Sequence, residues 1–183
     1  MKPMTHFKSF FGIMAASFLA MAAIIGVSAP AQVIRGHNSN APVNFSAGSI
    51  ELQDRADRVL LTGGVTATQA GLTMSASRLT AAYTSGGGID VHRLDAIGGV
   101  TITKDDLRAT SNAAIYDLDS DLITLLGNVQ LTQGANRLNG GRIVIDLNSG
   151  RSTINGGGAP AVPGVQNSGG RVTGTFTVPQ RKN

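Results

Sequence analysis

The side chains that most often do chemistry in proteins are scarce in this sequence. It has no Cys, which excludes a disulfide scaffold, a thiolate zinc site and a cysteine nucleophile. The three histidines, His6, His37 and His92, lie far apart, and none has a second His at the spacing of metal ligands. We therefore interpret His37 and His92 as solvated loop side chains.

The carboxylates and serines form no catalytic pattern either. Asp117, Asp119 and Asp121 alternate as in a calcium loop, but the sharp-turn glycine and the closing glutamate are missing. A polar turn is the better interpretation. No serine lies in a Gly-x-Ser-x-Gly sequence, and no helix follows the glycine pairs as a phosphate loop requires. We expect no catalytic residue, no metal site and no cofactor, and a protein that is not an enzyme.

The segments in which a functional site would have to lie are sequence repeats. Recurring glycines are the first sign of these repeats. Gly63, Gly98 and Gly127 each begin a Gly-Gly-Val or Gly-Asn-Val triplet, and Gly156 begins a weaker fourth copy. These glycines follow one another at intervals of 35, 29 and 29 residues. Such regular self-similarity is typical of an architecture built from repeated units.

These glycines are the first landmark of the repeats. A second landmark, a small residue two positions after an apolar residue, recurs along with them. It is found at Ala47, Ala76, Ala109 and Gly140, at intervals of 29, 33 and 31 residues. Two landmarks recurring together predict four repeats of about 30 residues each.

Each repeat has the alternation of β-strands. Around Gly127, for example, Ile123, Leu125, Val129 and Leu131 share one face, while the opposite face is largely polar. A period of two with one apolar face is typical of half-buried antiparallel strands. After the small-residue landmark the apolar positions slip by one residue, which predicts one bend or bulge in each repeat. The sequence predicts an all-β fold.

Composition divides the chain into four segments. Residues 1–31 have two lysines, an apolar run and a small-residue cleavage pattern, which predicts a secretory signal peptide with a signal helix and export to an extracytoplasmic compartment. Residues 32–42 are interpreted as a flexible lead-in, and residues 43–155 as the β-domain. Residues 156–183 are rich in Gly and Pro and predict a largely disordered tail, in which the alternating residues 171–178 are a candidate short strand.

The net charge of +4 arises from basic residues in the two terminal segments of the chain. Lys2 and Lys8 lie in the signal segment, and Arg171, Arg181 and Lys182 lie in the tail. Residues 32–155 hold ten basic and all eleven acidic residues, a net charge of −1. The β-domain is therefore nearly neutral, which removes the main argument for nucleic-acid binding.

Several of these stretches together resemble the LptA/OstA family, the periplasmic bridge of lipopolysaccharide transport in Gram-negative envelopes. The similarity extends over about residues 43–155, and Gly127-Asn128-Val129 is its closest single match. It is carried by Phe-Ser-Ala at 45–47, Leu-Thr-Gly-Gly-Val-Thr-Ala-Thr at 61–68, Leu-Arg-Ala at 107–109, Ala-Ile-Tyr-Asp at 114–117 and Leu-Leu-Gly-Asn-Val-Gln-Leu-Thr-Gln-Gly at 125–134.

This resemblance implies a slightly opened β-jelly roll of antiparallel strands that holds the acyl chains of lipopolysaccharide in its apolar interior. It also implies head-to-tail homo-oligomers, formed by edge-strand pairing. The same pairing would join an inner-membrane extraction complex to an outer-membrane insertion complex. No catalytic site is implied.

The predicted interior or lipid-binding groove is the apolar face of the repeats. Arg55, Arg58, Arg78 and Arg93 are candidates for contact with anionic sugar phosphates, with solvated strand-edge arginines as the alternative. The predicted interior residues are Phe45, Ile50, Leu61, Val65, Met74, Leu79, Tyr83, Val100, Ile102, Leu107, Tyr116, Leu125, Val129 and Leu131.

Three other interpretations remain open. The first is a membrane-anchored relative in the same pathway, held by an uncleaved N-terminal helix, because the apolar run of residues 10–27 is near the length of a membrane span. The second is a structural β-solenoid or adhesin-like protein with a filled core. The third, a β-helix polysaccharide lyase, requires a cluster of acid, base or metal residues that the sequence does not provide.

Overall fold

The structure, a computed structural model, describes residues 34, 36–86, 88–157 and 170–177. These residues form antiparallel strands and one 3-10 turn, Asp54–Ala56. The predicted all-β fold is confirmed. The strands are β1 (Asn44–Ser46), β2 (Ser49–Gln53), β3 (Arg58–Gln69), β4 (Leu72–Ser85), β5 (Ile89–Lys104), β6 (Leu107–Asp117), β7 (Leu122–Gln133), β8 (Asn136–Asp146), β9 (Ser152–Asn155) and β10 (Thr173–Thr175).

The strands form a single sheet in nearly sequential order. Each long strand from β3 to β8 pairs with the next one along the chain. One edge consists of β1 and β2, which pair with successive halves of β3. The other consists of β9 and β10, which pair with opposite halves of β8. The described strands of the two edges do not pair with each other, so the jelly-roll-like sheet is open, as predicted.

A corner crosses the sheet at the level of the glycine landmarks. All five pairings between neighbouring long strands shift register there, for example between Thr62 and Val65 in β3. At the corner Gly98 and Gly99 have φ of 86° and 75°, and Gly127 and Asn128 have φ of 75° and 50°. Asn is the residue other than Gly that best tolerates a left-handed backbone, which explains why Gly-Asn replaces Gly-Gly. The predicted bend in each repeat is confirmed.

In the third repeat the landmark residue Ala109 is not the one that pairs at the corner. Ala76 and Gly140 pair with Val65 and Val129 there, but the residue that pairs with Val100 is Ser111. Ala109 lies two positions earlier in β6. Ser111 is buried although it is polar, and its hydroxyl donates to the Ala113 carbonyl at 2.9 Å.

The corner divides the sheet into two half-sheets that face each other across the interior. The front half-sheet contains β1, residues 65–69, 72–76, 100–104, 107–111, 129–133 and 136–140, and β10. The back half-sheet contains β2, residues 58–62, 78–85, 89–97, 113–117, 122–126 and 142–146, and β9. Both contribute buried aliphatic side chains to one continuous core.

Several sequence predictions lie outside the described residues. They are the signal segment through residue 31 with its signal helix, and the tail at residues 158–169 and 178–183. Among the residues that the structure does describe, no helix is long and apolar enough to cross a membrane. The short strand predicted near the C-terminus is confirmed as β10, which pairs with residues 137–139 of β8.

Candidate functional site

The inner faces of the two half-sheets form the candidate site. Twelve of the fourteen predicted interior residues are buried there, with at most 3% of their surface exposed. They come from β3 to β7, and their side chains point inward because alternate residues of each strand share a face. The twelve are Leu61, Val65, Met74, Leu79, Tyr83, Val100, Ile102, Leu107, Tyr116, Leu125, Val129 and Leu131.

The two remaining predicted interior residues lie on the edge strands. Phe45 of β1 is half-buried and packs against the core. Ile50 of β2 is 59% exposed, so it lies outside the buried interior and stays a candidate lining residue of the groove. It pairs with Leu61 and therefore shares the inner face, but among the described strands none lies on the other side of β2 to cover this side chain.

Exposed apolar side chains continue the inner face at both edges. In β2, Leu52 pairs with Val59 and is 53% exposed. At the other edge Phe176 is 60% exposed, and its ring lies on the same side as Gly174, which pairs with Leu138 of β8. The apolar surface thus passes from one edge through the buried centre to the other.

One buried polar cluster interrupts the aliphatic interior. The Tyr116 hydroxyl donates to Gln69 Oε1 at 2.7 Å, and His37 Nε2 lies 3.1 Å from the same oxygen. The Gln69 amide donates to the carbonyls of Ser39 and Ala41 at 2.7 and 2.8 Å. Part of the predicted flexible lead-in therefore contacts the fold, a contact that the sequence prediction did not anticipate.

The interpretation of His37 as a solvated side chain is wrong. It is half-buried, and its Nδ1 is buried without a hydrogen-bond partner in the described part of the chain. Burial lowers the pKa of His37 and raises the pKa of the Tyr116 hydroxyl. Sequence reasoning missed Gln69 as well, although its spacing from Val65 and Ala67 places it on the inner face of β3 and could have revealed it.

Side chains fill most of the interior in this state. The space enclosed near Leu72, Met74, Leu94 and Tyr116 has a volume of only about 10 Å³, which is about the room needed for one water molecule. A long acyl chain would therefore have to displace side chains or separate the two half-sheets.

The polar surface matches the chemistry expected of turns and strand edges. Hydrogen bonds from Ser120 lower the pKa of Asp117, as expected for a polar turn. Among the arginine candidates, Arg93 pairs with Asp95 at 2.9 Å and Arg58 donates to Gln53. No group of three or more acidic or His side chains in the described ranges could hold a metal ion.

Comparisons with known proteins agree with this architecture. The fold is similar to that of a solved structure of LptH from Pseudomonas aeruginosa, described as the LptA-homologous periplasmic component of the conserved lipopolysaccharide transport device. It superposes with a TM-score of 0.64 at 16% sequence identity, over 78% of this chain and 100% of LptH. At that identity the likeness establishes the fold. No curated protein matches the sequence significantly.

A family model matches at the level of sequence. It describes the LptA and LptD N-terminal-domain lipopolysaccharide transport proteins, and it matches residues 44–151, the region that contains β1 to β8. The match extends over more than half of the chain. The chain therefore belongs to the LptA/LptD N-terminal-domain family of lipopolysaccharide transport proteins.

Proposed function

We propose that this chain is a periplasmic lipopolysaccharide-binding transport protein that bridges inner- and outer-membrane complexes. In this proposal the acyl chains of the lipid lie against the inner faces of the half-sheets. Residues 1–31 are a signal peptide that is removed, residues 43–155 form the transport domain, and residues 156–183 are a tail. Family membership supports the lipopolysaccharide pathway.

The observation that carries the proposal is the continuity of the apolar inner face. A closed globular core has no reason to expose large apolar side chains at its ends, and exposed apolar patches commonly mark binding sites. Here Ile50 and Leu52 at one edge and Phe176 at the other extend the buried face outward. A lipid tail could lie along this surface from one edge of the sheet to the other.

Burial against this surface would give acyl chains enough free energy to bind, but not so much that they could not move on. Burial contributes about 0.8 kcal/mol for each CH₂ group. Because the interior is already filled, part of that gain would offset the loss of contacts between Leu125, Val129 and their neighbours as the half-sheets separate. Similar apolar positions recur in each repeat, so the net affinity would vary little along the path and the lipid could slide.

The free edges provide the means of bridging. An edge strand presents unpaired backbone groups that a strand of another chain can join. The edge formed by β1 and β2 and the edge formed by β9 and β10 differ in sequence, so their pairing would be head-to-tail and could extend without closing. The same edges could join related domains of the two membrane complexes.

Site-specific photo-crosslinking in cells tests the lipid path. Crosslinkers at Ile50, Leu52 and Phe176 are expected to capture lipopolysaccharide, because these inner-face positions are exposed enough to accept a bulky group. Glu51 and Thr175 are the matched controls, since each lies next to a test position on the opposite face of its strand. Capture at Glu51 and Thr175 but not at the test positions would contradict the proposed path.

The filled interior favours one competing function, a structural β-protein that carries no lipid. Lipid extraction from the purified native protein distinguishes the two. The transport function predicts co-purifying lipopolysaccharide, whereas the structural function predicts neither co-purification nor binding. The mass of the native N-terminus separates the soluble bridge from the anchored relative, because cleavage after Ala31 leaves Gln32 first.

A further inference from the structure

The segment that precedes β1 closes a gap between the two half-sheets. We call residues 36–43 the strap. Its carbonyls at Ser39 and Ala41 accept hydrogen bonds from Gln69, at the end of β3 in the front half-sheet. On its other side the strap lies beside Val91 of the back half-sheet and Leu118 of the turn after β6, with which it lines a surface cavity of about 460 Å³.

The polar cluster joins the half-sheets directly beneath the strap. Gln69 belongs to the front half-sheet and Tyr116 to the back one, and β4 and β5 separate their strands in the sheet. Their hydrogen bond of 2.7 Å must therefore cross the interior. His37 of the strap lies 3.1 Å from Gln69 Oε1 and 3.2 Å from the Tyr116 hydroxyl, so it contacts both sides of the gap.

Apolar anchors hold the strap near its two ends. Ile34, two residues before it, is buried within the core cluster, and Val43, its last residue, packs against that cluster. Within the strap, the amides of Asn40 and Ala41 donate to the side chain and the carbonyl of Asn38. The segment is thus ordered by its own hydrogen bonds, and between the two apolar anchors it is attached to the sheet by the three polar side chains.

From this geometry we propose that the strap is a gate on the interior. An acyl chain enters between the half-sheets only after the strap leaves Gln69 and Tyr116. The gate rests on the proposed transport function and adds to it a controlling element in this chain. The Gln69–Tyr116 contact and the strap join the half-sheets at the gap in addition to the apolar core, so breaking them removes the polar restraint on separation there.

The polar character of the contact suits a gate. An aliphatic contact at this position would be part of the core packing. The Gln69 amide, in contrast, donates to the carbonyls of Ser39 and Ala41 only in one arrangement, and it loses both acceptors together when the strap moves. The Gln69 amide would otherwise be left unsatisfied among Ala67, Leu72 and Met74, so the closed state is favoured until a ligand displaces it.

Amide hydrogen exchange of the full-length protein without lipid tests the attachment. The variant Gln69→Leu removes the donors to the strap and keeps a side chain of similar size. We expect exchange at Asn40 and Ala41 to accelerate about tenfold, the factor for losing a hydrogen bond of ordinary strength.

Tyr116→Phe, which keeps the ring and removes only the hydroxyl, is a second and milder variant. Gln130→Leu, on the exposed outer face of β7, is the matched control.

The rate at which the same variants take up fluorescent lipid A from micelles tests the gate. Gln69→Leu and Tyr116→Phe are expected to load faster than the wild type, by about the factor seen in exchange, and Gln130→Leu to load at the wild-type rate. Unchanged loading in variants whose strap exchanges faster would overturn the gate alone. If no form, including the wild type, takes up lipid, the transport function is overturned and the gate with it. Unchanged exchange at Asn40 and Ala41 would overturn the attachment of the strap through Gln69.

Discussion

The interior contains residues with two different chemistries, and each predicts a different response to mutation or pH. Aliphatic side chains such as Leu125 and Ile143 are completely buried and stabilise the fold through packing. Gln69, Tyr116 and His37 form a polar cluster whose stability depends on hydrogen bonding and on protonation. The first group holds the sheet together, and the second attaches the strap.

Acidification is expected to weaken the attachment of the strap through His37. Its pKa in the folded protein is below the ordinary value of 6.5, chiefly because of burial, with a further lowering by Lys104 that Asp121 and Gln69 partly oppose. The unfolded chain therefore binds more protons, so the stability contributed by neutral His37 is present above pH 6.5 and is lost as the pH falls through the lowered pKa. Thermal unfolding of the wild type and His37→Gln between about pH 7.5 and about pH 5.5 measures this difference. Parallel pH profiles for the two proteins would contradict it.

Removing an interior aliphatic side chain is expected to cost far more than removing its outward neighbour. Leu125→Ala should lower the free energy of unfolding by about 2–5 kcal/mol, since it deletes packed atoms and leaves a cavity. Leu126→Ala, the next residue on the outer face, is half-buried and should cost about 1 kcal/mol. Urea denaturation measures both, and equal losses would mean that the two faces of β7 are packed alike.

The alternation of apolar and polar residues was enough to predict most of the buried interior residues, but it could not identify the polar cluster. Twelve predicted positions are buried because strands of period two must put alternate residues on one face. His37 was misjudged because its partners Gln69 and Tyr116 lie 32 and 79 residues away, and sequence spacing does not show such long-range contacts. The exposure of Ile50 could not be predicted, because alternation identifies the face of a strand and not whether a neighbouring strand covers it.

At the scale of the strands, the corner is the feature that makes one sheet into two facing halves. The positive φ angles at Gly98 and Gly127 allow the chain to turn where an ordinary residue would be strained. Each glycine also lies close to the neighbouring strand, so that a Cβ on Gly98 would lie 2.8 Å from the Cβ of Ser77. Backbone conformation and close packing therefore both require glycine at this corner.

The substitution Gly98→Ala is expected to destabilise the fold by about 1–3 kcal/mol, from the left-handed backbone and the contact with Ser77. Gly86→Ala is the matched control, because no atom lies within 4 Å of a Cβ at Gly86 and its φ is not in the left-handed region. The control should be neutral or slightly stabilising. Chemical denaturation of both variants provides the comparison, and a stable Gly98→Ala protein would show that the corner can relax.

The sequence predicted the corner from the slip in the apolar positions, because a face can be kept through such a slip only by a bulge. It could not show which strands the corner brings face to face. That information lies in pairings such as Thr62 with Arg78 and Val65 with Ala76, which the order of the residues alone does not specify.

At the scale of the whole molecule, the proposed head-to-tail association depends on the two edges of the open sheet. Ile50 and Leu52 present inner-face apolar surface at the β2 edge, and Phe176 presents it near the β10 edge. An edge strand that joined β2 would cover Ile50 and Leu52 as the inner strands cover Leu61. The same contact would align the inner faces of two protomers.

The double substitution Ile50→Glu and Leu52→Glu is therefore expected to reduce head-to-tail association at least about tenfold while leaving the fold intact. Two carboxylates buried at a strand–strand junction would lose their hydration without gaining partners, whereas in the isolated protein they remain in water. Sedimentation over a range of protein concentrations measures the association, and thermal unfolding should change by no more than about 0.5 kcal/mol. The control is Glu51→Gln on the opposite face of β2, which should associate like the wild type. If the double variant still formed the same assemblies, the junction could not lie at the β2 edge, and the apolar path between protomers would have to cross elsewhere.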